Sequence, residues 1–350
     1  MDETNETNTD TTRKLSSIKI VDNIIPHPNA NSLELSIIGG WQIVTRIGET
    51  KIGDKVIYCE IDSLLPNQPW LPQAIKLKLD NQKENTWFRL KTIKIRSEIS
   101  QGLIIPISGT IEHMKEYEID TDVTKELGIK KYEDPAFSDP IGISTDKFPT
   151  NLIDKTDEPR IQSSVNLLSK IQNLPYYITV KCDGTSATFL INPSTQELLV
   201  CSRNQIRSRP DNLEDCPYWS IAVKYDIENK LSQMEGRYAI QGEICGPKIQ
   251  KNLLGLDKLD LFIFNIIDIP SRRKVPYSDF VKITEQLQIK TVPIEEVGNV
   301  FDITDIKTLL SKAEGKYKNT KNHREGLVIR SQDCNISFKV ISNAYLLKYD

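Results

Sequence analysis

Lys181-Cys182-Asp183-Gly184 follows directly on the apolar run YYITV (176–180). A lysine there can act as a nucleophile once its ammonium loses a proton, which takes desolvation, a neighbouring cation or a metal. A nearby Asp and a conformationally free Gly suit a lysine held at a turn against a phosphate. The same four residues also fit a strand end followed by an ordinary β-turn, and the tetrapeptide alone does not separate the two. Residues further along the chain narrow the choice. Arg203 in SRN, Glu243 in GEI, Phe264 in FIFNI, Glu325 in EGLVIR and Lys339 in FKV each stand among apolar strand residues. A charge inside a strand pattern is costly unless it is paired or functional. Three carboxylates (Asp183, Glu243, Glu325), at least two cations and one lysine converging in a cleft would suit a metal–nucleotide site.

Such a convergence needs strands from distant parts of the chain. At 350 residues the sequence is long enough for two domains or three, each with its own core. From Lys14 to about Ser108, short β-branched runs alternate with turn signals (SSIKIVDNIIP, LELSIIGGWQIVTRIG, DKVIYCEIDSLLP, TWFRLKTIKI, GLIIPI), which predicts a small barrel or sandwich. Residues 109–160 are polar and rich in Asp, Glu and Pro, with one short helix expected around Val123–Leu127. A second domain of mixed strands and helices then runs to the end, with helices expected at SSVNLLSKIQ and Thr304–Glu314. The expected division is a disordered tail over 1–13, a β domain over 14–110, a linker or crossover over 111–150 and the second domain over 151–350. The fold class is α+β.

Composition narrows the classes. Hydrophobic residues make up 38% and charged residues 27%, too apolar for a wholly disordered chain. The net charge of −3 offers no bulk positive field for nucleic acid. Its sign comes from residues 1–12, which carry four acids and no base; without them 45 bases face 44 acids. No apolar run nears 18 residues, and the acidic, polar start excludes a secretory signal and argues against a transit peptide. Six scattered cysteines without a CxxC pair read as reduced thiols of a cytosolic or nuclear protein. The three histidines do not cluster with them, so a zinc site is not expected.

Taken together and in order, KCDG, SRN, GEI, FIFNI, EGLVIR and FKV resemble the six collinear motifs of the covalent nucleotidyltransferases, the superfamily of ATP-dependent ligases and mRNA capping enzymes. The likeness is closer to the nick-sealing RNA ligases of the Deinococcus and Naegleria type. RKLSSIKIVDNIIPHPNANSLE, GWQIV, IGDKVIYCEIDSLLP and FRLKTIKIRSEISQGLIIPI carry it in the first domain, and KTDEPRIQ, GEICGPKIQKN and SFKVISNAYLLK in the second. Only the acidic tail and residues 109–145 fall outside it. This resemblance implies an N-terminal OB-type β-barrel followed by a nucleotidyltransferase (ATP-grasp-like ligase/capping enzyme) domain of antiparallel sheets with flanking helices.

It also implies roles, residue by residue. Lys181 would attack the α-phosphate of ATP, and Asp183 would steer that lysine. Arg203 would contact ribose or phosphate, for which its planar fork is suited. Glu243 would hold the ribose or a water of the metal shell, and Glu325 would support Mg²⁺ (or Mn²⁺) through its waters. Phe264, or Phe262 beside it, would stack on adenine, with Val328 closing the other side. Lys339 would stabilise charge on the α-phosphate. Arg160 and Gln162 would reach the nucleotide or an RNA phosphate. Two departures stand out. Thr179 occupies the place two before the lysine where many ligases carry Glu, so base selection would rest on Thr179 or the backbone at Val180. Ser337 replaces the first lysine of the last motif, with Lys348 or another cation compensating.

In the first domain, Thr86–Ser97 interleaves Arg89, Lys91, Lys94 and Arg96 with Trp87, Phe88, Ile93 and Ile95. It reads either as a basic strand against a sugar-phosphate backbone or as a half-buried strand with one solvated face. The function that the resemblance implies is an ATP-dependent RNA ligase sealing 3′-hydroxyl/5′-phosphate nicks in duplexes with an RNA 3′-hydroxyl strand. Its partner would be nicked RNA or an RNA-containing duplex, with no membrane and no obligate protein partner. The alternatives are a related DNA ligase, a capping-type guanylyltransferase, or a non-catalytic nucleic-acid-binding relative.

Overall fold

The computed structural model describes residues 13–81, 87–132 and 144–349; most of the acidic tail and the EDPAFSDP stretch lie outside them. The chain divides into two compact units, Met1–Glu133 and Asp134–Asp350.

The first unit is built from short antiparallel strands. Lys55–Cys59 sits between Ser16–Ile20 and Leu103–Pro106. Asn23–Pro26, Leu33–Ile38 and Trp41–Arg46 form a meander whose second turn uses Gly39 at positive φ. Ser63–Pro66 pairs with Trp87–Arg89 on one side and Lys130–Lys131 on the other. Ile18, Ile57, Leu65, Leu90 and Ile105 are shared inward residues of these strands and their flanks.

Three expectations change here. Arg13, placed in the tail, is fastened by ion pairs to Glu60 at 2.8 Å and Asp62 at 3.1 Å. The basic segment is not one strand: Trp87–Arg89 and Ile93–Ile95 belong to different sheets. Arg89 is engaged within the protein, 3.5 Å from Asp62 and stacked 3.5 Å above the Tyr132 ring. Finally, residues 109–131 are not a free linker. Ile111, Met114, Val123, Leu127 and Ile129 are buried in the first unit's core. Their spacing has neither a strand nor a long-helix period, which hid them. The helix expected at Val123–Leu127 is one turn, closed by the Leu127 N–H donating to the Val123 carbonyl. At the other end, Ser144–Lys147 pairs with Gln205–Arg207 and belongs to the second unit.

The second unit holds two antiparallel sheets. The larger runs Ser144–Lys147, Gln205–Arg207, Leu198–Cys201, Thr185–Ile191, Tyr238–Cys245, Asp260–Asp268, Arg273–Lys274. Alternation sends Ala187, Phe189, Val200, Ile240 and Ile244 to one face, where helices Pro217–Lys224 and Tyr277–Leu287 bury them. The smaller sheet runs Ile294–Gly298, Tyr176–Lys181, Gly326–Ser331, Ser337–Ile341. Its back face, with Ile178, Leu327, Ile329, Phe338 and Val340, packs on helices Asn166–Ile171 and Ile306–Ala313. Both helices lie within the two segments expected to be helical. The second starts at Asp305, whose carboxylate accepts from the Thr308 N–H at 2.8 Å.

Candidate active site

The period of two leaves the other face of the small sheet to Tyr177, Thr179, Lys181, Val328, Arg330, Ser337 and Lys339. Register aligns them in rows: Thr179 opposite Val328 opposite Lys339, and Tyr177 opposite Arg330 opposite Ser337. Lys181 faces Gly326, at φ +154°, where an added Cβ would lie 2.1 Å from the Val340 carbonyl oxygen. That glycine lets Gly326–Ser331 close onto its neighbour and leaves space beside the lysine.

Lys181 Nζ lies 2.8 Å from Glu325 Oε2. Burial opposes the charge on Lys181, yet Glu325, Glu243 and Asp183 outweigh it and hold the ammonium above lysine's usual range. Burial raises Glu243 to about 8, with Glu325 and Asp183 adding to the rise and Lys181 and Arg203 resisting it. Burial and Glu325 raise Asp183 to about 6, against a hydrogen bond from Tyr345. Glu243 comes from the large sheet, opposite Ser186 and Phe262, so the two sheets meet electrostatically at Lys181.

The aromatic candidates lie on the same strand as each other. Gln241 pairs with Asn265 and Gly242 with Ile263, so a bulge falls at Phe264 and re-aims its side chain. Phe264 and Phe262 are both half-buried against Cys182, Cys245 and Val292. Lys290 lies over the Phe262 ring at 6.0 Å.

A strap over residues 154–160 ties the sheets together. The Asp154 carbonyl accepts from Gln241 at 3.1 Å, Lys155 donates to Asn204 at 3.2 Å, and Thr156 meets Ser186 at 2.8 Å. The Asp157 carboxylate bridges Lys339 at 2.9 Å and Arg203 at 3.0 Å. Glu158 turns inward to Lys274 at 2.8 Å, Arg330 at 3.4 Å and the Ser337 hydroxyl. Pro159 and Ile161 then pair with Lys339 through its N–H and carbonyl. Burial, with Lys181 and Arg160 nearby, lowers Lys339 to about 8 although Asp157 pulls the other way.

Of the two alternatives for Ser337, Lys348 or another cation, the structure sets another cation beside it. The cation beside Ser337 is Lys274, with Nζ 3.3 Å from its hydroxyl. Lys348 lies instead on the last helix, over the Tyr349 ring. The Val180 side chain points to the opposite face, against Leu253 and Tyr317, and its N–H donates to the Pro293 carbonyl. Thr179 is buried and accepts from Arg330 at 3.1 Å. Gln162 is 1% exposed, and neither end of its amide has a hydrogen-bond partner among the described residues.

Two tyrosines escape sequence reasoning. The Tyr317 hydroxyl donates to the Lys181 carbonyl at 2.9 Å and accepts from the N–H groups of Asp183 (2.9 Å) and Glu325 (3.1 Å). Tyr345 donates to Asp183 Oδ1 at 2.9 Å. Neither stands in one of the six short motifs; Tyr317 reaches Lys181 across 136 residues of chain and Tyr345 reaches Asp183 across 162. Asp157 and Glu158 lie within KTDEPRIQ, Arg330 within EGLVIR and Tyr345 within SFKVISNAYLLK, with nothing in those segments to single them out.

The site joins a lysine, three oxygen-donor carboxylates and a cationic far side. Hard divalent cations prefer such oxygen donors. Among the described residues the carboxylates do not form a direct three-ligand cage, so an ion there would be held largely through water and ligand oxygens.

A family model described as RNA ligase matches residues 174–341, and a model for an OB-fold domain matches residues 15–107. A search of curated proteins finds no match. Among solved structures, Naegleria gruberi RNA ligase with PPi is similar at TM-score 0.87 and 31% identity, covering 96% of this chain and 98% of that one. A mutant of that ligase with ATP and Mn gives TM-score 0.86 at 31% identity, covering 95% and 98%. Another mutant with AMP and Mn gives the same values.

Proposed function

The chain belongs to the ATP-dependent RNA ligase family, and on that premise we propose that it seals 3′-hydroxyl/5′-phosphate nicks in duplexes whose 3′-hydroxyl strand ends in RNA. The observation that carries the mechanism is Lys181, a single lysine ringed by Glu325, Glu243 and Asp183 and facing a cationic side built from Lys339 and Arg203.

Sealing takes three balanced steps. Lys181 Nζ, having lost its proton, attacks the α-phosphorus of ATP; the N–P bond forms and pyrophosphate leaves. The AMP then passes to the 5′-phosphate of the nick, freeing the lysine. The 3′-hydroxyl attacks that activated phosphate, the new phosphodiester forms and AMP departs. Lys339 and Arg203 hold the phosphates and stabilise the charge of the transition state. Asp183, fixed by Tyr345, steers the lysine. Phe264 stacks on adenine opposite Val328, Thr179 reads the base edge, and Arg160 and Gln162 reach phosphate or ribose from the strap.

The buried, unbonded Gln162 amide and the raised Glu243 carboxyl fit groups awaiting a nucleotide and a cation. Glu243 and Glu325 would hold Mg²⁺ or Mn²⁺, which when bound neutralises phosphate charge. We assign nucleic-acid holding to 14–110 and nucleotidyl transfer to 151–350. Among the described residues no helix is long and apolar enough to cross a membrane. All six cysteines are free thiols, which favours a cytoplasmic or nuclear setting.

The test pairs labelled ATP or GTP with Mg²⁺ and four nicked duplexes carrying RNA or DNA on each side. Protein label from ATP, with sealing that requires RNA at the 3′-hydroxyl, is expected. Label from GTP alone would indicate a capping-type enzyme, equal sealing of all-DNA nicks a DNA ligase, and no label a non-catalytic relative.

A further inference from the structure

Three segments flanking the nucleotide machinery carry cations that form no ion pair among the described residues. Residues 246–256 contribute Lys248 and Lys251, residues 315–324 contribute Lys316, Lys318 and Lys321, and the last helix, Asn343–Tyr349, contributes Lys348. All six are exposed, and none forms an ion pair among the described residues. No Asp or Glu occurs within these three stretches. In a chain of net charge −3, that is a pronounced local excess.

The segments are fixed to one another. The Asn322 amide donates to the Leu253 carbonyl at 2.9 Å, Tyr349 donates to Asn322 at 3.4 Å, and Lys251 donates to the Tyr349 carbonyl. Lys316 and His323 pair as the base of a small hairpin. Beneath lies a separate apolar cluster of Val180, Leu253, Leu254, Tyr317, Tyr345 and Tyr349. Val180 adjoins Lys181, Tyr317 holds the Lys181 backbone, and Tyr345 holds Asp183. The lysines therefore stand on the same scaffold that positions the nucleophile. The Tyr349 ring has Lys348 at 4.9 Å and Lys251 at 5.7 Å, and His323 at 6.5 Å between ring centroids. A ring set among ammonium groups suits a base or sugar beside its phosphates.

We propose that this surface of the second unit binds the sugar-phosphate backbone of the polynucleotide being sealed, independently of its sequence. The inference rests on the reading that the chain seals polynucleotide ends. Lysine ammonium groups on exposed loops match phosphates, whose neutralisation releases counterions. Phosphate contacts of this kind position a strand without reading it.

The test uses the full chain, a nicked duplex with RNA at the 3′-hydroxyl, and the triple variant Lys316→Gln, Lys318→Gln, Lys321→Gln, with Lys318→Glu as a single-site second variant. For the triple variant the KM for nicked duplex is expected to rise about tenfold, and the slope of log affinity against log salt to fall by roughly 3. AMP incorporation from ATP involves no polynucleotide and is measured in parallel. An unchanged KM and salt slope overturns the proposal. So does a fall in AMP incorporation that matches the fall in sealing, since the lysines would then serve the nucleotide pocket. Failure of the unaltered chain to incorporate AMP or seal any nick would instead defeat the ligase reading itself.

Discussion

Lys181 Nζ and Glu325 Oε2 lie 2.8 Å apart although 144 residues separate them in the chain. Glu325, with Glu243 and Asp183 beside it, holds the ammonium above lysine's usual range against the effect of burial. On the mechanism proposed above, activation of Lys181 requires that Glu325 be drawn away or neutralised, which a divalent cation would do. Lys181→Ala is expected to abolish AMP incorporation with the fold intact. Glu325→Gln is expected to lower it about 10–100-fold, as when a group supporting a metal is lost. Label retained on the Lys181 variant would assign the nucleophile elsewhere.

Tyr317 spends its whole hydrogen-bonding capacity on one donated and two accepted bonds to Lys181, Asp183 and Glu325. Tyr317→Phe should cost about 1–3 kcal/mol of stability by leaving buried backbone groups unpaired. It should also reduce kcat for AMP incorporation while leaving the KM for ATP unchanged, because the residue positions the reacting groups without touching nucleotide. Denaturant titration and steady-state kinetics separate the two effects.

Glu158 serves Arg330, whose side chain is 2% exposed. Despite burial, Lys274 and Arg330 hold Glu158 below its ordinary value near 4.5. A depressed carboxyl stabilises the fold above its unfolded pKa and loses that contribution as pH falls through its folded one. Glu158→Ala should cost about 3–5 kcal/mol at pH 7 by stranding a buried guanidinium. The gap between parent and variant should narrow as the medium is acidified below the unfolded value. Urea unfolding at pH 7 and pH 4 checks both parts.

Asp157 is the one anion shared by Lys339 and Arg203 among the described ion pairs. Lys339 already sits at about 8, and Asp157 opposes that lowering. Removing the carboxylate moves the lysine further down, so its charge is lost at lower pH. For Asp157→Asn, the alkaline decline of kcat/KM for AMP incorporation should shift to lower pH. The variant-to-parent ratio should then fall roughly two- to threefold between pH 7 and pH 8.5. A ratio independent of pH would separate Asp157 from Lys339 titration.

Much of this architecture was legible because strands announce themselves. YYITV, EGLVIR and SFKVI alternate, and that alternation puts Ile178, Leu327 and Val340 behind the sheet and Thr179, Val328 and Lys339 in front. Residues 109–131 were not legible, because five buried apolar side chains at irregular spacing are diluted by exposed polar ones. The basic reading of Thr86–Ser97 failed at Arg89 for a related reason: Asp62 and Tyr132 are partners that local sequence does not reveal. Tyr317 and Tyr345 were not legible because their work is a hydrogen bond across the fold: Tyr317 stands in a lysine-rich loop and Tyr345 on the short last helix, and neither place gives a signal of it.

The strap has a consequence for when the protein comes into being as a catalyst. Asp157 and Glu158 find their partners Lys339 and Ser337 182 and 179 residues downstream. A ribosome therefore delivers the strap early and its counterparts almost last. The first unit can fold during synthesis, while the nucleotide cleft stays unassembled until the final sheet strand has emerged. A nascent chain carries Lys181 long before Glu325 and Lys339 exist to stand beside it.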